Sequence, residues 1–295
     1  MLNILNLIRI HHWTKNSLIF IPLLLSESVI SINFFLLHLY AFFAFSFAAS
    51  SVYIFNDYID RENDANHPIK KNRPIASGKF SSKLALKISF LLLASSFLIS
   101  FFIGFKILVP IIIYVLLNFA YTIFFKRIYL FDCMVLSFFY TMRILVGTVI
   151  SQETPSFWLI LFSIFIFLSL ALSKRFQEIK LFSKNRDMKI LGRGYKTNDN
   201  QLLMILGIIT GVFSIIVLSL YLNSEKALTL YSNSISIWLL VLFVSIWLGW
   251  VWLKTIRGEI SSDPLVFAFK DKISLFILVC GVTTFFISKE IKIIF

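Results

Sequence analysis

Apolar runs of about twenty residues, parted by short polar breaks, repeat along the chain, and each is long enough as a helix to cross a hydrocarbon layer about 30 Å thick. None shows the strict alternation of a half-buried strand. The pattern predicts nine spans, at 17–32, 34–55, 87–105, 107–125, 128–150, 157–172, 201–222, 235–253 and 273–288. The first contains Pro22 and Glu27 and has no small-residue cleavage site, which argues against a cleaved signal peptide.

Composition sharpens this picture. Hydrophobic residues make up 58% of the 295 and charged ones 15%, against about 45–50% and about 25% in a soluble domain. One soluble core cannot hide that surplus, and disorder is excluded by the same figures. The expected fold is an all-α integral membrane bundle forming a single domain over 1–295. Cys133 and Cys280 sit in separate apolar runs and read as packing residues. The net charge of +13 calls for no nucleic acid. With the amino terminus in the cytoplasm, 23 Lys and Arg fall on the inner side, while Lys106, Lys226, Lys289 and Lys292 fall outside and Arg143 lies within a span. The long inner loops, 56–86 and 173–200, place any chemistry on the cytoplasmic face.

The second run ends in Asn56, Asp57, Tyr58, Ile59, Asp60, Arg61, Glu62, Asn63 and Asp64. If the helix continues, Asn56, Asp60 and Asp64 share one face at i, i+4 and i+8, with Asp57 beside them. Carboxylates at that spacing repel unless a cation joins them. A hard-oxygen donor set favours Mg2+, with Mn2+ as a substitute, and Mg2+ shares its shell with substrate phosphates. A basic loop follows at once, with His67, Lys70, Lys71 and Arg73 between Pro68 and Pro74. Acid for a metal followed by base for phosphates suits a diphosphate.

The segment N-D-x-x-D-x-x-x-D, carried by Asn56, Asp57, Asp60 and Asp64, resembles the first signature of the UbiA superfamily of intramembrane transferases. That resemblance covers nearly the whole chain and implies a bundle of nine transmembrane helices whose central cavity opens to lipid and cytoplasm and holds Mg2+ on a diphosphate. Family members commonly carry a second acidic motif after the sixth helix. Here that stretch reads Ser173, Lys174, Arg175, Phe176, Gln177 and Glu178, followed by Tyr195. Cations replace acids, so the segment should grip an anion directly. Together with H-P-x-K-x-x-R-P from His67, with Lys15 and Asn16 near the start, and with Lys126, Asp132 and Arg143 around the fifth span, it resembles the decaprenyl-phosphate phosphoribosyltransferase branch.

The resemblance implies Mg2+-dependent transfer of 5-phosphoribose from phosphoribosyl diphosphate to a polyprenyl phosphate in a bacterial inner membrane, feeding a cell-wall or surface polysaccharide precursor. In this reading Asn56, Asp60 and Asp64 hold the metal, and Asp57, Asp60, Lys70 and Arg73 act at the departing diphosphate. Lys15, His67, Lys126, Asp132, Arg143, Lys174, Arg175, Glu178 and Tyr195 bind substrate. The rival is an aromatic prenyltransferase using a polyprenyl diphosphate; it expects the second acidic site that this chain lacks. A homo-oligomer is left open. Independently of any family, Asp132 and Arg143 lie about three helical turns apart on one side of the fifth span, too far to pair with each other.

Overall fold

The computed structural model describes residues 2–25, 32–66, 70–152, 154–181, 193–231, 234–260 and 263–288. Most of these residues are helical, and no strand forms among them. In order, the helices are α1 (Leu2–Leu7), α2 (Ile21–Leu25), α3 (Ile32–Ile59), α4 (Arg61–Ala65), α5 (Ser82–Ile103), α6 (Phe105–Ile123), α7 (Phe131–Ile150), α8 (Phe157–Lys180), α9 (Asn200–Leu222), α10 (Glu225–Leu230), α11 (Ser234–Arg257), α12 (Pro264–Ala268) and α13 (Lys272–Ser288). A 3-10 segment, Ile10–Phe20, joins α1 to α2. Among the described residues seven helices are long and apolar enough to span a membrane, and α13 is a shorter apolar helix.

The second through eighth expected runs coincide with α3, α5, α6, α7, α8, α9 and α11, and the ninth with α13. The first does not form a span-length helix among the described residues. Its opening half is the end of the 3-10 segment and the short α2, and 26–31 lie outside the described residues. The chain divides into two compact units: 1–155 with 189–194, and 156–188 with 195–295.

In the first unit α3 is the central element. Its small residues Ala41, Ala44, Ala48 and Ala49 are buried and let neighbouring helices approach closely. Ser89 of α5 donates to the Ser51 carbonyl at 2.9 Å and Ser96 to the Ala44 carbonyl at 2.7 Å, so polar groups are satisfied inside the apolar layer. The other side of α5 presents Phe90, Leu91, Phe101 and Phe102 outward, as a lipid-facing surface would. The 3-10 segment lies against α3 and α7. It docks where Gly147 has no side chain, since a Cβ there would overlap the Ile19 carbonyl oxygen and crowd Pro22.

In the second unit α8 and α9 pack through Gly207 and Gly211. Ser169 donates to the Gly207 carbonyl at 2.6 Å and accepts from the indole N–H of Trp252 at 3.0 Å. Trp252 lies over Gly207, and Trp250 donates to Asp271 at 2.9 Å. Both rings are thus held by specific partners. Asp263 caps α12, accepting from the Leu265 N–H at 3.2 Å, with Pro264 in the first turn.

Candidate active site

The polar end of α3 is built as two adjoining groups. Backbone bonding continues through the break at Asp60: its N–H donates to Asn56 at 2.9 Å and that of Asp64 to Asp60 at 2.8 Å. The side chains nevertheless part company. Arg73, from the loop after α4, places one nitrogen, Nη1, 2.9 Å from Asp57 Oδ1 and 2.6 Å from Asp64 Oδ2. Arg9 binds the same Asp57 oxygen and lies over the Tyr53 ring. Asp60 pairs instead with Lys126, and Asn56 accepts from Thr122 Oγ1 at 3.2 Å, both partners coming from the end of α6 and the turn after it.

The row Asn56, Asp60 and Asp64 is therefore not brought together as one ligand group: Asp64 sides with Asp57. Among the described residues no three acidic, His or Cys side chains converge closely enough to chelate an ion. The fit to a hard divalent cation is nonetheless good at one point, because two carboxylates already converge on a single positively charged atom. Asp57 and Asp64 are 2% and 4% exposed, and charges so buried need such a partner. Burial raises the Asp64 pKa above the ordinary carboxylate value, with Arg73 opposing. Burial works against the charge on Arg9, but Asp57, Tyr53 and Asp64 together outweigh it and leave Arg9 more basic than usual. Burial and then repulsion from Arg9 lower the pKa of Arg73.

Lys70 begins the turn Lys70–Asn72, and its charge acts on Asp64. His67 lies outside the described residues. Lys15 is buried over the Tyr140 ring, 5.4 Å from its centre. Asp132 is buried in the first turn of α7, where a negative side chain meets the positive helix end.

Arg143 stands apart from this cluster. It is 2% exposed, stacks over Phe45, Tyr114 and Tyr140, and donates to Asn16 Oδ1 at 2.7 Å and to the Phe139 carbonyl. Asn16 in turn donates to Ser46 at 2.8 Å. These bonds make Arg143 a tie between the 3-10 segment, α3 and α7.

In the second unit, Lys174, Arg175 and Glu178 lie on the last turns of α8 rather than in a loop. Lys174 is paired with Asp263 at 3.0 Å. Arg175, fully buried, is paired with Glu178 and stacks on the buried ring of Tyr195. Sequence reasoning missed Arg9, Thr122 and Asp263, and it named Asn16 without its partner Arg143. Each meets its partner across a long stretch of chain, which no local spacing reveals.

Span-length apolar helices and a charged centre at the end of one of them define the class: a helical integral membrane protein. The chain belongs to the UbiA prenyltransferase family, whose model matches residues 18–279. It is 36% identical over 92% of its length to the uncharacterized protein y4nM of Sinorhizobium fredii, and spans 52% of that protein. It is 30% identical over 90% of its length to nodulation protein NoeC of Azorhizobium caulinodans, of which it covers 87%. Decaprenyl-phosphate phosphoribosyltransferase of Mycolicibacterium smegmatis is 33% identical over 48% of this chain and 44% of its own. The chain thus spans about half the length of the first of these relatives. Among solved structures, a UbiA homolog from Archaeoglobus fulgidus bound to GPP and Mg2+ matches with a TM-score of 0.72 at 14% identity, over 96% of this chain and 99% of that one, which establishes the fold.

Proposed function

We propose that the protein transfers 5-phosphoribose from phosphoribosyl diphosphate to a polyprenyl phosphate, releasing diphosphate, with Mg2+ and with the donor reaching the site from the cytoplasm. The observation that carries this reading is the basic stretch on α8, with Lys174 and Arg175 where an acidic second motif would serve a prenyl diphosphate. The partial likeness to decaprenyl-phosphate phosphoribosyltransferases supports it.

In this mechanism Asp57 and Asp64, the two carboxylates that converge on one Arg73 nitrogen, would hold the metal, and Asp60 and Asn56 would join them only on giving up Lys126 and Thr122. Mg2+ neutralises the diphosphate and makes it a better leaving group. Arg73 and Lys126, now paired with these carboxylates, would offer their positive charge to the phosphate oxygens. The bond from the anomeric carbon to the diphosphate breaks, and an oxygen of the acceptor phosphate forms the new one. A phosphate ester is already ionised at neutral pH, so no strong base is required, and catalysis rests on positioning and charge stabilisation. Lys174 and Arg175, on α8, would offer positive charge to an anionic group. Arg175 is held in place by Glu178 and Tyr195, and Lys174 by Asp263.

The test incubates purified protein with Mg2+, labelled phosphoribosyl diphosphate and a polyprenyl phosphate, beside a parallel reaction of a polyprenyl diphosphate with an aromatic acid. A ribosylated lipid is expected. Robust prenylation of the acid with no ribosylated lipid would overturn the donor assignment and favour the activity that the family description names.

A further inference from the structure

Lys83 and Lys87 stand one turn apart, at i and i+4, where α5 begins. Like charges at that spacing repel, and Lys83, in the first turn, meets the positive end of the helix. No acidic residue lies in that turn, and neither lysine has a hydrogen-bond or ion-pair partner among the described residues. The helix itself does not need them: Ser81 caps it, accepting from the Leu84 N–H at 3.3 Å, and its buried side is tied to α3 by Ser89 and Ser96. Both lysines are exposed on the other side. There, with Leu86, Phe90 and Leu91, they line an open cleft of about 610 Å³, within the range of about 300–1,000 Å³ usual for ligand sites. Phe90 and Leu91 are 71% and 64% exposed. One turn on, the exposed residues Ala94 and Ser95 are small, and Leu98 then resumes the apolar face. Two ammonium groups thus stand at the head of an apolar track. Lysine stems routinely reach from an apolar face to water, but that habit alone accounts neither for the cleft nor for two like charges at the wrong end of a helix.

We infer that this face of α5 binds an anionic phospholipid of the surrounding bilayer, its phosphate held between Lys83 and Lys87 and an acyl chain laid along Phe90, Leu91 and Leu98. The phosphate relieves the repulsion between the lysines and supplies the negative charge that the start of the helix favours. A lipid without net charge leaves both in place. A second copy of the chain fits worse. Copies inserted in the same direction about a two-fold axis along the membrane normal bring the same level of α5 together, so lysine would meet lysine with no acid between them. Neither lysine belongs to the catalytic reading above, so this site stands or falls independently of the donor.

The experiment titrates the purified full-length protein in detergent with dioleoyl phosphatidylglycerol or dioleoyl phosphatidylcholine and follows bound lipid by native mass spectrometry. The two share their tails and a phosphate, but choline cancels the charge of one. The wild type should hold phosphatidylglycerol more tightly. Lys83→Gln and Lys87→Gln should each weaken it about five-fold, and both together about thirty-fold, as loss of one or two cations at a membrane surface does. Phosphatidylcholine binding should not change, and Lys83→Arg with Lys87→Arg should keep most of the affinity. Lys270→Gln with Lys272→Gln removes the same charge from exposed positions near the start of α13 and should leave binding intact; equal weakening there would reduce the effect to diffuse attraction and overturn the inference. Equal affinity for the two lipids overturns it too, as does unchanged phosphatidylglycerol binding when both lysines of α5 are replaced. Should that double variant fail to fold, unchanged affinity in both single variants overturns it. A wild-type dimer that Phe90→Ser disperses, with lipid binding unchanged, would give the face to a second copy and overturn it as well.

Discussion

Asp64 shows how one buried side chain couples a metal to pH. Its raised pKa means that ionisation is disfavoured in the folded, ligand-free site, because burial outweighs the attraction of Arg73. The sign follows: neutral Asp64 favours the ligand-free fold at low pH, and that contribution is lost as pH rises through the raised value. Metal binding needs the ionised form and runs the other way. The Mg2+ concentration for half-maximal activity should therefore rise as pH falls from neutrality toward that raised value. Asp64→Asn should flatten that dependence and need far more Mg2+ at every pH; activity profiles at graded Mg2+ measure both. A wild-type requirement constant across this range would remove Asp64 from the metal site. At this scale the sequence was legible in part. The acidic motif announced itself by spacing, but the division of Asp57 and Asp64 from Asn56 and Asp60 did not. That division is set by Arg73 and by the end of α6, which no periodicity within α3 encodes.

Helices longer than the hydrocarbon layer requires were easily found from their apolar runs, since side-chain burial in lipid tolerates any apolar residue. Their polar extensions were harder. α8 continues from the apolar run through Lys174 and Arg175 to Lys180 because these are good helix formers and their charges are paired on the helix itself or with Asp263. The 3-10 segment also escaped reading, since its residues differ little in composition from a span. What betrays it is Gly147, a single missing side chain on α7. Gly147→Ala should destabilise the protein by about 1–3 kcal/mol, as overpacking against immovable backbone does. Gly249→Ala on α11 meets nothing within 4 Å and should be neutral or stabilise by up to about 1 kcal/mol. Thermal unfolding of the two variants in detergent makes the comparison. Equal melting temperatures would mean that the 3-10 segment moves aside.

Across the molecule, charge distribution sets the orientation. The basic excess on one side of the expected spans predicts that the loop between α4 and α5 faces the cytoplasm. Ser77 is exposed on that loop. Ser77→Cys, in a chain with Cys133→Ala and Cys280→Ala, should resist a membrane-impermeant thiol reagent in intact cells and react after permeabilisation. Labelling of intact cells would reverse the orientation and with it the side from which the donor arrives.

Arg143 has a consequence for the order in which the protein is made. An arginine near the middle of a span opposes insertion of that helix by about 2.5–3.5 kcal/mol. Its hydrogen-bonding partner Asn16 lies 127 residues earlier, so the ribosome delivers Asn16 well before α7 emerges. The amino-terminal segment can act as a waiting receptor that makes α7 acceptable to the bilayer. Deleting residues 2–20 should leave α3 and α5 inserted but make α7 slip out of the membrane, seen as protease sensitivity or glycosylation-site mapping around it. Arg143→Leu in the same truncated chain should restore insertion, because the charge that needed a partner is gone. A truncated chain whose α7 inserts fully would show that the aromatic rings of Phe45, Tyr114 and Tyr140 suffice.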